Sequence, residues 1–276
     1  MKIQDAINLA RQTLSPFSNS FQLDAELLVA LALSCSRTFL YTYPEKNLTN
    51  QQQQNFNRFL DRRLKGEPIA YILGYQEFWS LCFTVTPQTL IPRPETEHLV
   101  EWILENFSNE EVISLAELGT GTGAIAISLA SERNTWKIDA TDISDKALKI
   151  ANENAKKHQQ LVHFYQGSWC QALPHDQYDI IVSNPPYLAQ NDPHLTELNH
   201  EPYQALVAGP NGLEAIEHIV DQSPNYLKKG GFLIIEHGYN QGEAVKKLLT
   251  THHFINVQGH KDLADLFRFT TAQKDF

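Results

Sequence analysis

Residues 112–123 read Val112-Ile113-Ser114-Leu115-Ala116-Glu117-Leu118-Gly119-Thr120-Gly121-Thr122-Gly123. The first half is a short apolar run that ends in an acid; the second half sets glycine at every other position. Val112 to Glu117 reads as a strand, and the residues after Gly123 read as a helix. Glycines at such a junction let the backbone turn sharply and approach a ligand with no Cβ in the way. The helix start presents free N–H groups to anionic atoms. Three alternate glycines cost chain entropy and stabilise no helix, so a bound cofactor explains the stretch better than a bare strand-to-helix turn.

Working outward, the same alternation continues. Trp136 to Thr141, Val162 to Tyr165, Tyr178 to Ser183 and Gly231 to Glu236 read as strands. Helices are expected to begin near Ser144, Gly212 and Asn240, with further strands near Ile255 to Gly259 and Leu266 to Thr271. Strands alternating with helices imply an α/β domain, a doubly wound and mostly parallel sheet covered on both faces. Ligands of such sheets lie beyond the carboxyl ends of the strands, so the chemistry is expected just after each apolar run. The second strand ends at Asp142, where a carboxylate can accept hydrogen bonds from both hydroxyls of a ribose. A nucleoside-bearing cofactor follows from the pair, but Gly119, Gly121 and Ala124 also fit a dinucleotide loop.

The loop after the fourth strand discriminates. It reads Ser183-Asn184-Pro185-Pro186-Tyr187. Two prolines fix φ and remove two N–H donors, leaving carbonyl oxygens open to a ligand. Asn184 adds a side-chain acceptor, and Tyr187 a flat face against a planar group. Such a loop holds an NH2 by accepting both of its protons, which is what methylation of an amide nitrogen needs. The amide lone pair is delocalised into the carbonyl, and acceptors at Asn184 and Pro185 favour its pyramidalisation and aim it at a methyl donor. A dehydrogenase has no use for this loop. The expected cofactor is therefore S-adenosylmethionine, and the expected catalytic residues are Asn184, Pro185 and Tyr187, with no metal required. Nothing among the eleven histidines has the His-Glu-x-x-His spacing of a zinc site.

Upstream the grammar differs. Ile3, Ala6, Ile7, Ala10 and Leu14 recur at helical spacing, and Asp24 to Leu33 reads as a second helix with a wide apolar face. Ser36 is a cap for a third helix, and a fourth follows Asn50 and stops at Gly66. Residues 1–75 are expected to form a small helical domain, 76–93 a linking hairpin turning at Thr86-Pro87-Gln88, and 94–276 the α/β domain. Pro94 opens a helix at a first-turn position.

Composition narrows the partners. Of 276 residues, 42% are hydrophobic and the net charge is −10, so a sizeable core is affordable and a phosphate-gripping face is not expected. Cys35, Cys82 and Cys170 are odd in number and far apart, as expected of free thiols. With no signal-peptide pattern and no apolar run able to span a bilayer, a soluble cytoplasmic protein is expected, with no membrane and no stable nucleic acid among its partners. Nothing calls for an obligate dimer, so a monomer is expected.

Over nearly its whole length the chain resembles the HemK/PrmC release factor glutamine methyltransferases. The resemblance is carried by Gly66-Glu67-Pro68-Ile69-Ala70-Tyr71-Ile72, Gln76-Glu77-Phe78-Trp79 and above all Ile91-Pro92-Arg93-Pro94-Glu95-Thr96-Glu97, with Glu201-Pro202, Ala205-Leu206 and Gly212-Leu213 beside them. It implies a class I S-adenosylmethionine-dependent methyltransferase domain, Rossmann-like with seven strands, behind a helical substrate-recognition domain. The implied substrate is the glutamine of the Gly-Gly-Gln motif in bacterial class I peptide chain release factors. A ribosomal-protein glutamine, or an adenine or cytosine of DNA or RNA, is the alternative that the catalytic loop leaves open. The resemblance also implies that Glu117, Gly119, Thr120, Gly121, Thr122, Gly123, Asp142, Trp169 and Asn184 contact the cofactor, while Asn184, Pro185, Pro186 and Tyr187 hold the glutamine. Three positions depart from the family pattern: Glu117 stands where aspartate is usual, Ser168 stands where aspartate is frequent, and Leu266-Phe267-Arg268 lacks a glycine. Arg93 is read equally as a loop cation paired with a carboxylate and as a positioning group, and His237 as a histidine satisfying a loop carbonyl.

Overall fold

The computed structural model describes residues 1–109, 111–175 and 177–275. It divides into two compact units, Met1–Tyr75 and the chain from Gln76 onward.

The first unit is helical: α1 (Ile3–Leu14), α2 (Phe21–Leu33), α3 (Arg37–Thr42), α4 (Asn50–Leu64) and the short α5 (Ile69–Leu73). The stripe Ile3, Ala6, Ile7, Ala10 and Leu14 is buried against Ala25, Leu28 and Val29 of α2 and Phe56 and Leu60 of α4. Ser36 caps α3 through the Phe39 N–H. Thr49 and Gln52 form a reciprocal capping box on α4, so Gln51 to Gln54 are the partly solvated first turn of a helix. The wide face of α2 is not wholly apolar. Asp24 and Glu26 are also buried, Asp24 beside Arg63 and the hydroxyls of Ser18 and Ser20, Glu26 beside Arg11, Arg37 and Tyr41. Burial of a carboxylate requires such partners.

The second unit opens with a hairpin of β1 (Tyr75–Phe78) and β2 (Leu81–Thr84). Its turn lies at Trp79 and Ser80, both at positive φ (50° and 58°); Thr86-Pro87-Gln88 is a turn as expected, closed by the Thr89 N–H on the Thr86 carbonyl, but it follows β2 and does not join the two strands. Two-residue hairpin turns of this hand match the twist of the strands. Neither residue is a glycine or an asparagine, which is why sequence signals point to the later proline instead. A 3-10 turn, Pro94–Thr96, then leads into α6 (Glu97–Asn106).

The body of the unit alternates as expected: β3 (Ser114–Leu118), α7 (Ala124–Glu132), β4 (Lys137–Asp142), α8 (Asp145–Lys157), β5 (His163–Gln166), β6 (Tyr178–Ser183), then β7 (Leu188–Ala189), α9 (Tyr203–Leu206), β8 (Val207–Gly209), α10 (Glu214–Gln222), β9 (Leu227–Glu236), α11 (Gly242–Thr251), β10 (Phe254–Lys261) and β11 (Phe267–Lys274). Seven strands form one sheet in the order β10-β11-β9-β6-β3-β4-β5. The five from β9 to β5 run parallel; β11 is antiparallel to β9 and to β10. Core side chains fill both faces, Ile125, Leu129 and Ile138 on one, Ile181, Ile216 and Ile219 on the other. The short pair β7 and β8 is a separate two-stranded parallel element.

The chain leaves β3 for β4 and β5 on one side and returns for β6 on the other. The topological switch thus falls between β3 and β6, where doubly wound sheets open a crevice. Register sharpens this. Leu118 pairs with Thr141 of β4 and with Ser183 of β6, and Ser183 pairs with Ile235 of β9. The residues that follow these partners, Gly119, Asp142, Asn184 and Glu236, therefore lie at one level along the carboxyl edge of the sheet.

Candidate active site

The glycine loop is shaped by a buried acid beneath it. Glu117, 2% exposed, accepts a 2.6 Å hydrogen bond from the Thr120 hydroxyl and a 3.0 Å bond from the Ala126 N–H at the start of α7. Burial pushes its carboxyl up to about 8, against those two bonds, which favour the ionised form. The Gly119 and Thr120 N–H groups donate to the Thr141 carbonyl, and the Gly121 N–H donates to Asp142 Oδ2 at 2.9 Å. Gly119 has φ +73°, and a Cβ there would sit 3.2 Å from the Trp169 ring. The glycine is thus what lets the indole lie against the loop. Trp169 itself is held at φ 47°, a conformation uncommon for a large side chain.

Asp142 accepts from the Ser144 N–H with its other oxygen, at 2.8 Å, and burial raises its pKa. Each carboxylate oxygen keeps lone pairs for a ligand hydroxyl.

These groups border a cavity of about 350 Å³, lined among others by Gly119, Gly121, Asp142, Ser168, Trp169, Asn184 and Pro186. A second cavity of about 460 Å³ is lined by Asn184, Pro185, Pro186, Tyr187, Arg93 and Arg268 among others. A third space of about 50 Å³ lies against Glu117, Thr120, Thr122, Phe78 and Thr96. Both larger volumes are of the size that small ligands occupy. Among the described residues, Asn184 and Leu90 are the two that border all three spaces. Gly123 borders none; at φ 82° it is the N-cap of α7.

The proline loop is braced from outside. The Asn184 amide donates to the Thr96 hydroxyl at 3.2 Å. The Tyr187 carbonyl accepts from Gln241 at 3.0 Å, and the same Gln241 amide reaches the Gly212 carbonyl. Burial pushes the Tyr187 phenol up to about 12, so it stays neutral. Arg93 pairs with the buried Glu201, whose other oxygen takes the Ile91 N–H, as one of its two readings expects, and it also lines the second cavity. His237 is buried, with its ring nitrogens beside the Gly238 carbonyl (3.0 Å) and the Thr270 hydroxyl (2.9 Å), and burial lowers its pKa. It satisfies a loop carbonyl.

Leu90, Thr96, Glu236 and Gln241 had no site role assigned by sequence reasoning. Glu236 was within reach of it: it ends an apolar run, where chemistry is expected. Gln241 carries no such signal, because the contacts its amide NH2 makes with the site are with segments 29 and 54 positions away.

The PrmC N-terminal domain family matches residues 5–74, and the methyltransferase small domain family matches residues 96–209. A release factor glutamine methyltransferase of Coxiella burnetii is 49% identical over 275 residues, 99% of each chain. That of Escherichia coli is 44% identical over 260 residues, 93% of each. The chain belongs to the release factor glutamine methyltransferase family. The fold agrees: the solved structure of a methyltransferase from Pyrococcus furiosus, 18% identical, superposes with a TM-score of 0.56 over 80% of this chain and 99% of that one. Membership makes this chain a methyltransferase. No helix among the described residues is long and apolar enough to cross a membrane.

Proposed function

We propose that the protein transfers a methyl group from S-adenosylmethionine to the side-chain amide nitrogen of the glutamine in the Gly-Gly-Gln motif of bacterial class I release factors, acting in the cytoplasm as a monomer. The observation that carries this reading is the position of Asn184. It leaves the sheet level with the glycine loop and borders both cavities at once.

The residues fit the cofactor. Asp142 offers lone pairs to a ribose, Trp169 a flat wall to an adenine, and the glycines a backbone that a ligand can approach. S-adenosylmethionine supplies an electrophilic methyl on a sulfonium. The chain's own task is to bring a weakly nucleophilic nitrogen to it. The Asn184 side-chain oxygen and the Pro185 carbonyl accept the two amide protons, Tyr187 packs its ring on the amide plane, and the lone pair is left aimed at the neighbouring cavity. Orientation of this kind contributes up to about 7–11 kcal/mol in well-arranged systems. The neutral Tyr187 is no base, and none is needed before transfer, because the proton leaves once the nitrogen has become cationic. A net charge of −10 favours a protein substrate over a phosphate backbone.

Mass spectrometry of purified release factors incubated with the enzyme and S-adenosylmethionine tests the reading. One added methyl on the Gly-Gly-Gln glutamine is expected. Asn184→Ala is expected to lower turnover by about 10²–10³-fold, the scale seen when a single preorganised polar group is removed from an active site, with cofactor affinity retained. Undiminished transfer by Asn184→Ala, or a methyl on any other residue, refutes it.

A further inference from the structure

An asparagine amide has nearly the same shape in its two flipped orientations, yet only one of them is useful here. Turned one way, Asn184 offers an oxygen that accepts a substrate N–H. Turned the other way, it offers an NH2 to an NH2, and the contact is repulsive. Something in the protein must choose.

The groups behind Asn184 are Thr96 and Glu236. Thr96 is the last residue of the 3-10 turn that opens α6, and Glu236 is the last residue of β9; they are each 4% exposed. Glu236 leaves the sheet beside Asn184, since Ile235 pairs with Ser183. The Asn184 Nδ2 donates to the Thr96 hydroxyl oxygen at 3.2 Å, and the Thr96 hydroxyl acts on the Glu236 carboxyl, holding its pKa down against burial. Glu236 Oε2 is buried with no hydrogen-bond partner. A carboxylate in that state is expensive.

The bookkeeping of protons gives it a purpose. A hydroxyl has one proton and two lone pairs. An ionised carboxylate only accepts, so Glu236 takes the Thr96 proton. Thr96 then faces Asn184 with lone pairs alone, and Asn184 must answer with its NH2. We propose that Glu236 and Thr96 are positioning residues that lock the Asn184 amide with its oxygen toward the substrate nitrogen. This rests on the function proposed above.

Protonation undoes the lock. A neutral Glu236 can donate to Thr96, which can then turn its own proton toward Asn184 and receive the flipped amide. Burial pushes the Glu236 carboxyl up to about 7; the Thr96 hydroxyl and the charges of Arg268 on β11 and Arg93 ahead of the turn oppose that rise, while Glu95 adds to it. The Tyr187 phenol also feels this carboxyl but stays neutral, and the neighbouring His237 is held toward its neutral form by burial.

Two readouts test the device. The first needs no substrate: the side-chain amide ¹⁵N resonance of Asn184, assigned by its absence in Asn184→Ala. In the otherwise unaltered enzyme it should shift with pH around the Glu236 titration, and in Glu236→Gln that shift should vanish. The second is kinetic. Thr96→Val should lower kcat by about 10–100-fold through misorientation, leave KM for S-adenosylmethionine within about 2-fold, and be rescued by Thr96→Ser, which restores the hydroxyl. An Asn184 resonance indifferent to pH, or a Thr96→Val enzyme as fast as Thr96→Ser, overturns the proposal. If Thr96→Val does not fold, the comparison of the parent enzyme with Glu236→Gln still decides. Should release factors stay unmethylated while the Asn184 resonance follows Glu236, the substrate reading fails and the lock stands.

Discussion

The glycine loop after β3 and the proline loop after β6 leave the sheet side by side, and they are held in opposite ways. The glycine loop is braced by its own neighbourhood. Glu117 grips Thr120 and Ala126 from three and nine positions away, and Asp142 on the adjacent strand takes the Gly121 N–H. The proline loop carries no such internal frame, because prolines donate nothing. Its bracing comes from afar, from Thr96 at a separation of 88 residues and Gln241 at 54. The lesson is that a cofactor loop can be built as a local cassette, whereas a loop that must present bare acceptors to a substrate has to borrow its rigidity.

The comparison breaks most severely at the buried acid. Glu117 has its carboxyl pushed from 4.5 up to about 8. A raised carboxyl means that the folded state holds the proton more tightly than the unfolded state. The stability linked to it is fully present below the unfolded value near 4.5 and is lost as pH rises to about 8. Each unit is about 1.4 kcal/mol, so the swing amounts to several kcal/mol, lowered by any relaxation of the site. Glu117→Gln removes the titration while keeping an acceptor for Thr120 and Ala126. Urea unfolding of both proteins at pH 5 and pH 8.5 should show the variant gaining stability relative to its parent at the higher pH. Glu236, whose pKa is raised in the same direction, is present in both proteins and cancels. A stability difference that does not change with pH would mean that Glu117 is ionised throughout and that the loop is held by charge.

The next test strikes the borrowed rigidity. Gly212 has φ +81°, and a Cβ there would lie 2.6 Å from the Tyr187 carbonyl oxygen and 3.0 Å from the Ala189 N. Backbone atoms cannot yield cheaply, so Gly212→Ala must displace the proline loop or the β7 strand that continues it. About 10²-fold is the expected loss in kcat, as for small misplacements of reacting groups, while cofactor affinity is unchanged. Loss of cofactor binding instead would show that the two loops share one support.

The same contrast explains what could be read from the sequence. The alternation of strands and helices, the glycine loop, Asp142 and the Asn184 loop are local patterns, and the observed elements begin and end within a few residues of those expected. The last strand pair, expected near Ile255 to Gly259 and Leu266 to Thr271, is found at Phe254–Lys261 and Phe267–Lys274. Three features were not legible in the sequence. The hairpin turn fell at Trp79-Ser80, where tertiary packing imposes left-handed backbone on residues with no turn signal. The buried Asp24 and Glu26 lie on a face that looks apolar by periodicity, and their arginine partners are 11 to 39 residues away. Thr96 and Gln241 brace the proline loop across 88 and 54 residues, contacts that only the folded chain creates. Arg93 was undecided because its partner Glu201 is 108 positions distant.

The smallest effect is expected at Gly119, and it sharpens the comparison from the other side. A Cβ at this position meets the Trp169 ring at 3.2 Å, which is a side chain and can yield by a few tenths of an ångström. The φ of +73° adds the greater part of the cost, about 1 kcal/mol for an alanine held in the left-handed region. Gly119→Ala should therefore weaken cofactor binding by about 10-fold, the equivalent of roughly 1.4 kcal/mol. At saturating cofactor, kcat should stay within about 3-fold of the parent enzyme, because Asn184 and its distant braces are untouched. Isothermal titration with S-adenosylhomocysteine and steady-state kinetics separate the two quantities. A variant that binds normally but turns over slowly would mean that the glycine loop takes part in aiming the nitrogen, and the division between a local cassette and a borrowed frame would no longer hold.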